Sequence, residues 1–388
     1  MIFGSQETKE TTCLVFDIGS DSVAGSWIRL DGSSRPTILA TRRVALDIYE
    51  TITAEQLLFG IKNALRQVIT QLSPQYQGSP EKIFVFVASP WYAAQVRTIS
   101  YMKRHPFIFS QRFADELVSR EYEKFSEGGH REWKQLGTGH VPLEHKIVHV
   151  ELNGYTFADP IGKKTERVEL TSFMSMMPQN VRDALERIIQ GSFHVDVEFH
   201  TATFASFFAL AHHKQVPAHH VILDIRGETS DLVIVRDGCP HEVVSLPFGD
   251  HTIVRSFAEN MHQKPIHMQE LLSMYVHNHL DDTERAQIEN HMKKSLDHVE
   301  KLLYKALSHV AERGLLPKDV YVYMNPEYQA WYVQILNDER FSTLVSSEKK
   351  FSLHDARTML KGIVVDEEVT LDPFIVAETF FASKQSLS

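Results

Sequence analysis

The chain has 388 residues, of which 43% are hydrophobic and 23% are charged. This length and composition predict two or three globular domains and exclude a disordered or collagen-like chain. Forty basic against fifty acidic residues leave a net charge of −10, which disfavours non-specific binding to nucleic acid or to an anionic membrane. The only cysteines, Cys13 and Cys239, provide neither a disulfide framework nor a cysteine-based zinc site.

The sequence shows no recognisable targeting or membrane-spanning segment. Its first twelve residues are polar, without a charged region that leads into a short apolar stretch, and no later run reaches about 18 apolar residues. The last seven residues are too few and too polar for an amphipathic anchor. We therefore expect a cytoplasmic protein without a membrane anchor of its own.

The first predicted elements are the strands of a β-meander. Asp31-Gly32 is a typical hairpin turn within it. A helix follows, because Thr53 and Gln56 form a capping box ahead of an apolar face at helical spacing. A fourth apolar strand covers 83–90. The β-prone runs of the meander are 13–20, 23–30 and 37–41.

The same order of elements recurs in the second half of the chain. A second meander is followed by a long helix, which Asp281 and Glu284 cap, and then by an apolar strand over 320–326. In both halves an aspartate of the first strand precedes an Asp-Gly turn by 13 or 14 residues. The sequence therefore predicts a duplicated β-β-β-α-β unit. The runs of the second meander are 221–231, 232–235 and 241–246.

A stretch between the two copies, 91–162, has no counterpart in the second half, and we interpret it as a small inserted α+β subdomain. Residues 1–90 with 163–215 would then form the first domain, and 216–388 the second. The elements predicted within the insert are strands over 95–102 and 146–152, a helix over 112–125, and a glycine-rich charged segment over 127–139. Two further helices are predicted over 179–190 and 253–261.

In each half, one strand ends in an acidic residue that a glycine-containing turn follows. Such a turn presents backbone N–H groups and a hydroxyl to an anion, while its carboxylate can hold Mg²⁺ through water. Two such turns that face one cleft would clamp a polyphosphate. The alternative is a pair of hairpins whose polar side chains only satisfy the turn backbone. The residues of the two turns are Asp17, Gly19 and Ser20, and Asp224, Gly227, Thr229 and Ser230.

Together these motifs resemble the actin/Hsp70/hexokinase superfamily, and within it the bacterial FtsA and PilM proteins. Residues 15–20 (VFDIGS) are similar to the first phosphate loop of that family, and residues 223–231 (LDIRGETSD) to the second. Residues 246–252 (LPFGDHT) resemble its turn into a following helix, and residues 371–381 resemble its closing segment. The resemblance implies an α/β chain with the actin-like ATPase fold. Two ribonuclease-H-like domains would flank a cleft, with an SHS2-type insert in the first.

The resemblance also implies ATP and Mg²⁺ as ligands of the cleft. Asp17 and Asp224 would hold Mg²⁺ through water, and they are also the candidates for a catalytic role. The residues that the resemblance assigns to nucleotide binding are Asp17, Gly19, Ser20, Asp224, Gly227, Thr229, Ser230 and Gly249.

The function that the resemblance implies is an FtsA-like cytoplasmic scaffold for cell division. It would bind a tubulin-like division protein, associate with itself and lie at the inner face of the membrane through a partner, without binding nucleic acid. The first alternative is a PilM-like platform that binds a peptide from an inner-membrane pilus protein. The second alternative is a small-molecule kinase or ATPase that uses the same cleft.

Three departures from the family pattern affect the nucleotide elements. Ser22 follows the first loop where FtsA commonly has a lysine, and Pro326 lies in a segment where the family has a Gly-Gly turn. Arg226 replaces the first glycine of the second loop, where its side chain either obstructs a phosphate or supplies a replacement positive charge. The sequence leaves normal, weakened and lost ATP binding open, and predicts at most a slow ATPase.

Other chemistry has weaker support. Serine-hydrolase, Walker-A and Gly-x-Gly-x-x-Gly motifs are absent. Asp231 has the position of a kinase base, but FtsA-like proteins share it. The closely spaced histidines are expected to be solvated rather than metal ligands, because neighbours on a helix or loop point in different directions. They are His212, His213, His219, His220, His277 and His279.

Overall fold

The computed structural model describes residues 10–30, 35–76, 78–128, 139–157, 159–346, 350–356, 362–366 and 369–385. The predicted Asp31-Gly32 turn and most of the glycine-rich segment 127–139 lie outside these ranges. None of the helices in the described ranges combines the length and the apolar character needed to span a bilayer.

The described residues form strands and helices in two successive runs of the β-β-β-α-β order. In chain order the strands are β1 (Thr11–Ile18), β2 (Ser22–Leu30), β3 (Thr37–Ala45), β4 (Lys82–Val87), β5 (Ala93–Ile108), β6 (His140–Leu152), β7 (Tyr155–Thr156), β8 (Lys164–Pro178), β9 (Val197–Thr201), β10 (His220–Ile225), β11 (Ser230–Arg236), β12 (Cys239–Leu246), β13 (Asp319–Tyr323), β14 (Ser352–Asp355) and β15 (Val364–Val365). The helices are α1 (Ala54–Leu72), α2 (Gln111–Glu127), α3 (Gln179–Phe193), α4 (Ala202–Ala211), α5 (Asp250–Met261), α6 (Pro265–Val276), α7 (Asp282–Ala311), α8 (Gln329–Leu336) and α9 (Pro373–Gln385).

Two of the sheets share one topology. The first has the strand order β15-β3-β2-β1-β4-β9, and the second has the order β12-β11-β10-β13-β14. In both, the three meander strands pair antiparallel, and the fourth strand of the unit runs parallel beside the first. The predicted α/β fold class and the duplicated unit are therefore confirmed.

Both predicted capping boxes are present at the helix starts. The backbone N–H of Gln56 donates to the Thr53 hydroxyl at 3.2 Å, and the Thr53 N–H donates to the Gln56 side chain at 3.0 Å. At the start of α7, the N–H of Glu284 donates to the Asp281 carboxylate at 2.8 Å. Each box satisfies N–H groups that have no partner within the helix. The local sequence therefore determines where α1 and α7 begin.

A third sheet, of order β5-β8-β6-β7, is formed largely by the predicted insert. Helix α2 covers one of its faces, where Phe109, Val118 and Leu170 form a small core. The predicted boundary at residue 162 falls before β8, which belongs to this sheet, and the domain limits stay a prediction. Methionines at the end of β8 are buried in the core of the first sheet, so they fill this core. They are Met174, Met176 and Met177.

The chain returns to the first sheet near its end. Strand β15 pairs in parallel with β3, and helix α9 packs against α4 and β1. Helix α9 is buried on nearly all sides. A helix without a polar face must be covered all round, and the first sheet together with α4 provides that cover. The sequence assigns this closing segment to the second domain, whereas in the structure it packs against the first sheet and α4.

A buried ion pair links the insert to the first sheet. Nδ1 of His200, on β9, lies 3.4 Å from Oε1 of Glu144, on β6. The same carboxylate accepts the backbone N–H of Thr201 at 2.8 Å. Burial lowers the pKa of His200, but the carboxylates of Glu144 and Glu198 outweigh this effect and raise it above its usual value.

We predict that His200→Gln makes the stability of the protein less dependent on pH. A histidine whose pKa is raised on folding stabilises the fold below its unfolded pKa, and this contribution is lost as the pH rises through the folded value. The free energy of unfolding of the wild type should therefore exceed that of the variant by more at pH 5.5 than at pH 8.5. Urea denaturation at both pH values measures the difference. An equal difference at both pH values would show that folding does not raise the pKa of His200.

Candidate functional site

The two predicted loops lie at the ends of β1 and β10, and each closes on itself through its backbone. The N–H of Gly19 donates to the carbonyl of Ser22 at 3.0 Å, and the N–H of Arg226 donates to the carbonyl of Thr229 at 3.1 Å. Because β1 and β10 have equivalent places in the two sheets, the duplication brings the loops to face each other.

The side chain of Arg226 lies between the two predicted metal ligands. Its Nη1 is 2.9 and 2.8 Å from the carboxylate oxygens of Asp17. Its Nε is 2.7 Å from Oδ1 of Asp224, and its Nη2 is 3.3 Å from Oδ2. All three side chains are buried, with at most 2% of each residue exposed. Asp17 and Asp224 thus face each other across the cleft as predicted, and the guanidinium of Arg226 connects them.

A second arginine, Arg43 on β3, extends this cluster. Its Nη2 is 2.7 Å from Asp17, and its Nε is 2.6 Å from Asp372. Its Nη1 donates to the hydroxyl of Ser22 at 2.7 Å, so a cation contacts the position where FtsA commonly has a lysine. Asp372 also accepts the N–H of Phe374 at 3.0 Å. The cluster therefore reaches the first turn of α9.

Helix α9 closes the remaining side of the cluster. The guanidinium carbon of Arg226 lies 3.5 Å from the ring centroid of Phe374, a cation–π contact between two buried side chains. Glu378, one turn further along the helix, is buried. Burial and the charge of Asp17 raise the pKa of Glu378 well above its usual value.

The two aspartates respond differently to this environment. Burial alone would raise the pKa of Asp17, but Arg226 and Arg43 outweigh it and hold that pKa below its usual value. Burial raises the pKa of Asp224 to about 7, although the single guanidinium of Arg226 opposes the change. Both arginines stay protonated, because the neighbouring carboxylates raise their pKa values. The cluster is a buried network of cations and carboxylates.

The hydroxyls predicted to bind phosphate are already bound by protein groups. The Ser20 hydroxyl accepts the backbone N–H of Glu228 at 3.0 Å, which connects the first loop directly to the second. The Thr229 hydroxyl donates to the carbonyl of Ser89 at 2.9 Å, and the Ser230 hydroxyl donates to a backbone carbonyl beyond β12 at 2.6 Å.

The predicted glycines allow the two loops to pack against neighbouring backbone and side chains. A Cβ on Gly249 would lie 2.2 Å from the carbonyl oxygen of Arg226 and 2.3 Å from that of Gly227. A Cβ on Gly227 would lie 2.8 Å from the Cβ of Asp21, and one on Gly19 would lie 2.7 Å from Oδ1 of the same aspartate. The three glycines are therefore needed for the loops to pack closely against the backbone of the second loop and against Asp21.

A metal-bound polyphosphate does not fit this arrangement. Arg226 fills the space between the two carboxylates, and hydrogen bonds join the loops to each other. Both effects considered for Arg226 from the sequence are present, because its side chain blocks the site and also supplies a positive charge. Within the described residues, no group of three or more His, Cys, Asp or Glu side chains is placed to hold a metal ion.

A cavity of about 330 Å³ lies beside the cluster. Asn325 and Pro326 line it, so the segment in place of the family's Gly-Gly turn forms part of its wall. Arg42 and Leu371 contribute from the first sheet and from the segment before α9. The proline ring offers no N–H donor to this cavity.

Asp231, the discounted candidate for a base, is held by hydrogen bonds. Its Oδ1 accepts from the hydroxyls of Ser89 and Ser245, at 2.5 and 2.6 Å. The hydroxyl of Thr203 lies 3.4 Å from its other oxygen. The carboxylate is 1% exposed and joins β11 to the segment after β4 and to α4.

A further ionic contact connects the second loop to α5 and to the segment that follows β3. Glu228 accepts two hydrogen bonds from Arg255, at 2.8 and 2.7 Å, and lies 2.8 Å from Nδ1 of His251. Burial would raise the pKa of Glu228, but these two neighbours lower it to about 2. Arg255 also donates to the carbonyl of Tyr49, beyond β3, at 2.8 Å.

Sequence inspection did not assign Arg43, Asp372, Phe374 or Glu378 to the site. One signal was present: Glu378 is the only charged residue in the apolar run from Pro373 to Ser383. An acidic side chain in a helix that is buried all round requires a specific environment. Nothing local distinguishes Arg43 from its neighbours.

Comparisons with known proteins identify the fold. No family model and no curated protein sequence matches the chain. A solved structure, described as a PilM–PilN type IV pilus biogenesis complex, aligns with 97% of this chain and 97% of its own, at 16% identity and a TM-score of 0.58. The chain has the actin-like fold of the FtsA and PilM type.

Two other structures align along nearly the full actin-like chain at lower similarity. The ethanolamine utilization protein EutJ from Carboxydothermus hydrogenoformans is 10% identical, with 97% and 89% of the two chains covered and a TM-score of 0.45. A Bacteroides thetaiotaomicron protein of unknown function, described as having an actin-like ATPase fold, is 7% identical, with 98% and 99% covered and a TM-score of 0.40.

We predict that Gly249→Ala strongly destabilises the protein. The added methyl group would overlap two carbonyl oxygens, and forcing the loops apart should cost about 3 kcal/mol. Gly191→Ala is the matched control, because a Cβ there meets nothing within 4 Å. This glycine lies in α3, where alanine should add about 0.5–1 kcal/mol. Urea denaturation of both variants measures the difference, and equal stabilities would contradict the close packing of the loops.

Proposed function

We propose that this protein is a non-catalytic actin-like scaffold. The observation that carries the proposal is that each carboxylate suited to phosphoryl-transfer chemistry is already bound by protein groups. Asp17 and Asp224 bind Arg226, and Asp231 accepts hydrogen bonds from serine hydroxyls. Phosphoryl transfer needs a metal site and a residue that orients the nucleophile, and a buried network of this kind offers neither.

We further propose that the scaffold binds a short segment of a pilus-assembly protein. The solved structure that supports this idea is a complex of PilM with PilN, and its alignment covers 97% of both chains. A PilN-like partner would hold this protein at the inner face of the membrane. The alignment to PilM favours the pilus role over the FtsA-like division role that the sequence placed first. The tubulin-like partner and self-association stay predictions.

Peptide binding tests the choice between the two scaffolds. We expect the full-length protein to bind a labelled N-terminal peptide of a PilN-like protein and not the tail of a tubulin-like division protein. Fluorescence anisotropy with a scrambled peptide as control measures both. Binding of the division-protein tail alone would return the FtsA-like function to first place, and binding of neither would contradict a peptide-binding scaffold.

We also predict that the protein does not hydrolyse ATP. Phosphate release by the wild type should equal that of the Asp231→Asn variant and of a blank without protein, because Asp231 is committed to hydrogen bonds. A malachite-green assay with Mg²⁺ and ATP measures the release. A wild-type rate that Asp231→Asn abolishes would support the kinase or ATPase alternative.

A further inference from the structure

Arg226 occupies an unusual position for an arginine. It is 1% exposed, and its guanidinium contacts Asp17, which is 209 residues away in the sequence, and Asp224, which is two residues away. One of these carboxylates belongs to the first sheet and the other to the second. The contact therefore exists only when the two sheets are brought together.

The surroundings of the guanidinium are built to hold it. Phe374 covers one face of the guanidinium plane at 3.5 Å, and the edges carry four hydrogen bonds to carboxylate oxygens. The planar fork of arginine suits such paired contacts, whereas the ammonium of lysine is a point charge. The site is thus complementary in shape and in charge to one guanidinium.

The charge of Arg226 is required where it lies. Without it, Asp17 would keep only Arg43, and Asp224 would face another carboxylate in a buried site. Removing one partner from a buried ion pair leaves an uncompensated charge, which is strongly destabilising. A divalent cation placed between two carboxylates would relieve the same repulsion.

We propose that Arg226 is a tethered cation that holds the two halves of the molecule closed, so that closure needs neither a nucleotide nor a metal ion. The residues present do not fit the predicted ligands ATP and Mg²⁺, because Arg226 fills the space between the two carboxylates. Its positive charge offsets the repulsion between Asp17 and Asp224, as a bound cation would.

The wild type gives the first test. A ligand that binds only the folded state raises the melting temperature, so an ATP complex present at about 5 mM ATP with Mg²⁺ would add several degrees. We expect no change with ATP and Mg²⁺, with Mg²⁺ alone, or with EDTA. A rise with nucleotide, or a fall with EDTA, would overturn the proposal.

Chemical rescue gives the second test. Arg226→Gly should lower the melting temperature by about 4–6 °C, because two buried carboxylates lose their shared cation. Methylguanidinium at about 10 mM should recover much of this loss, since the variant leaves a cavity of matching shape and charge. Arg226→Met is the matched control: it removes the charge but fills the space, so methylguanidinium should not rescue it.

Each remaining outcome also decides the question. An Arg226→Gly protein that melts like the wild type would show that the guanidinium is dispensable. A destabilised Arg226→Gly protein that methylguanidinium does not stabilise would contradict a site built to fit a guanidinium. If this variant does not fold, Arg226→Lys replaces it: lysine keeps the charge, so it should fold, melt below the wild type and show no response to ATP. An Arg226→Lys protein as stable as the wild type would contradict the need for the fork. None of these measurements uses peptide binding, so the scaffold function and the tethered cation can fail separately.

Discussion

The structure depends on one guanidinium that two buried carboxylates share. Burying Asp17, Asp224 and Arg226 takes three charged groups out of water, and their contacts with one another, with Arg43 and with Phe374 offset that cost. Because the two carboxylates lie on different sheets, the contacts form only when both sheets are folded and docked. The folding of the two loops that resemble phosphate loops is therefore coupled to the docking of the two sheets. The residues of the cleft are buried as part of the core.

The closing segment of the chain strengthens this coupling. Asp372 binds Arg43 and also caps the start of α9, so a single carboxylate links β3 to the last helix. Helix α9 then buries Phe374 against the guanidinium of Arg226, and it places the buried Glu378 near Asp17. In this actin-like fold, the site where the resemblance places nucleotide chemistry instead joins the two sheets and the last helix.

The insert is attached by the same kind of contact. Glu144 and His200 form a buried ion pair where β6 meets β9, and the methionines of β8 enter the core of the first sheet. Buried polar pairs are costly when either partner is missing, so they specify one arrangement of the subdomain relative to the sheet. The three sheets are therefore joined by packing and by charge, which suits a scaffold whose surface must present a constant shape.

The sequence by itself determined the duplication, the meanders and the starts of α1 and α7, because apolar periodicity and capping boxes act between residues a few positions apart. It also brought Asp17 and Asp224 to one cleft, since both copies place the aspartate at the same point of the unit. Only the tertiary structure decided what lies between them. Arginine has many rotamers, and the one that Arg226 adopts is selected by Asp17, 209 residues away, and by Phe374 from the returning helix. Contacts set by such distant groups have no local signature, which is why the sequence left open whether Arg226 obstructs this cleft or supplies its positive charge.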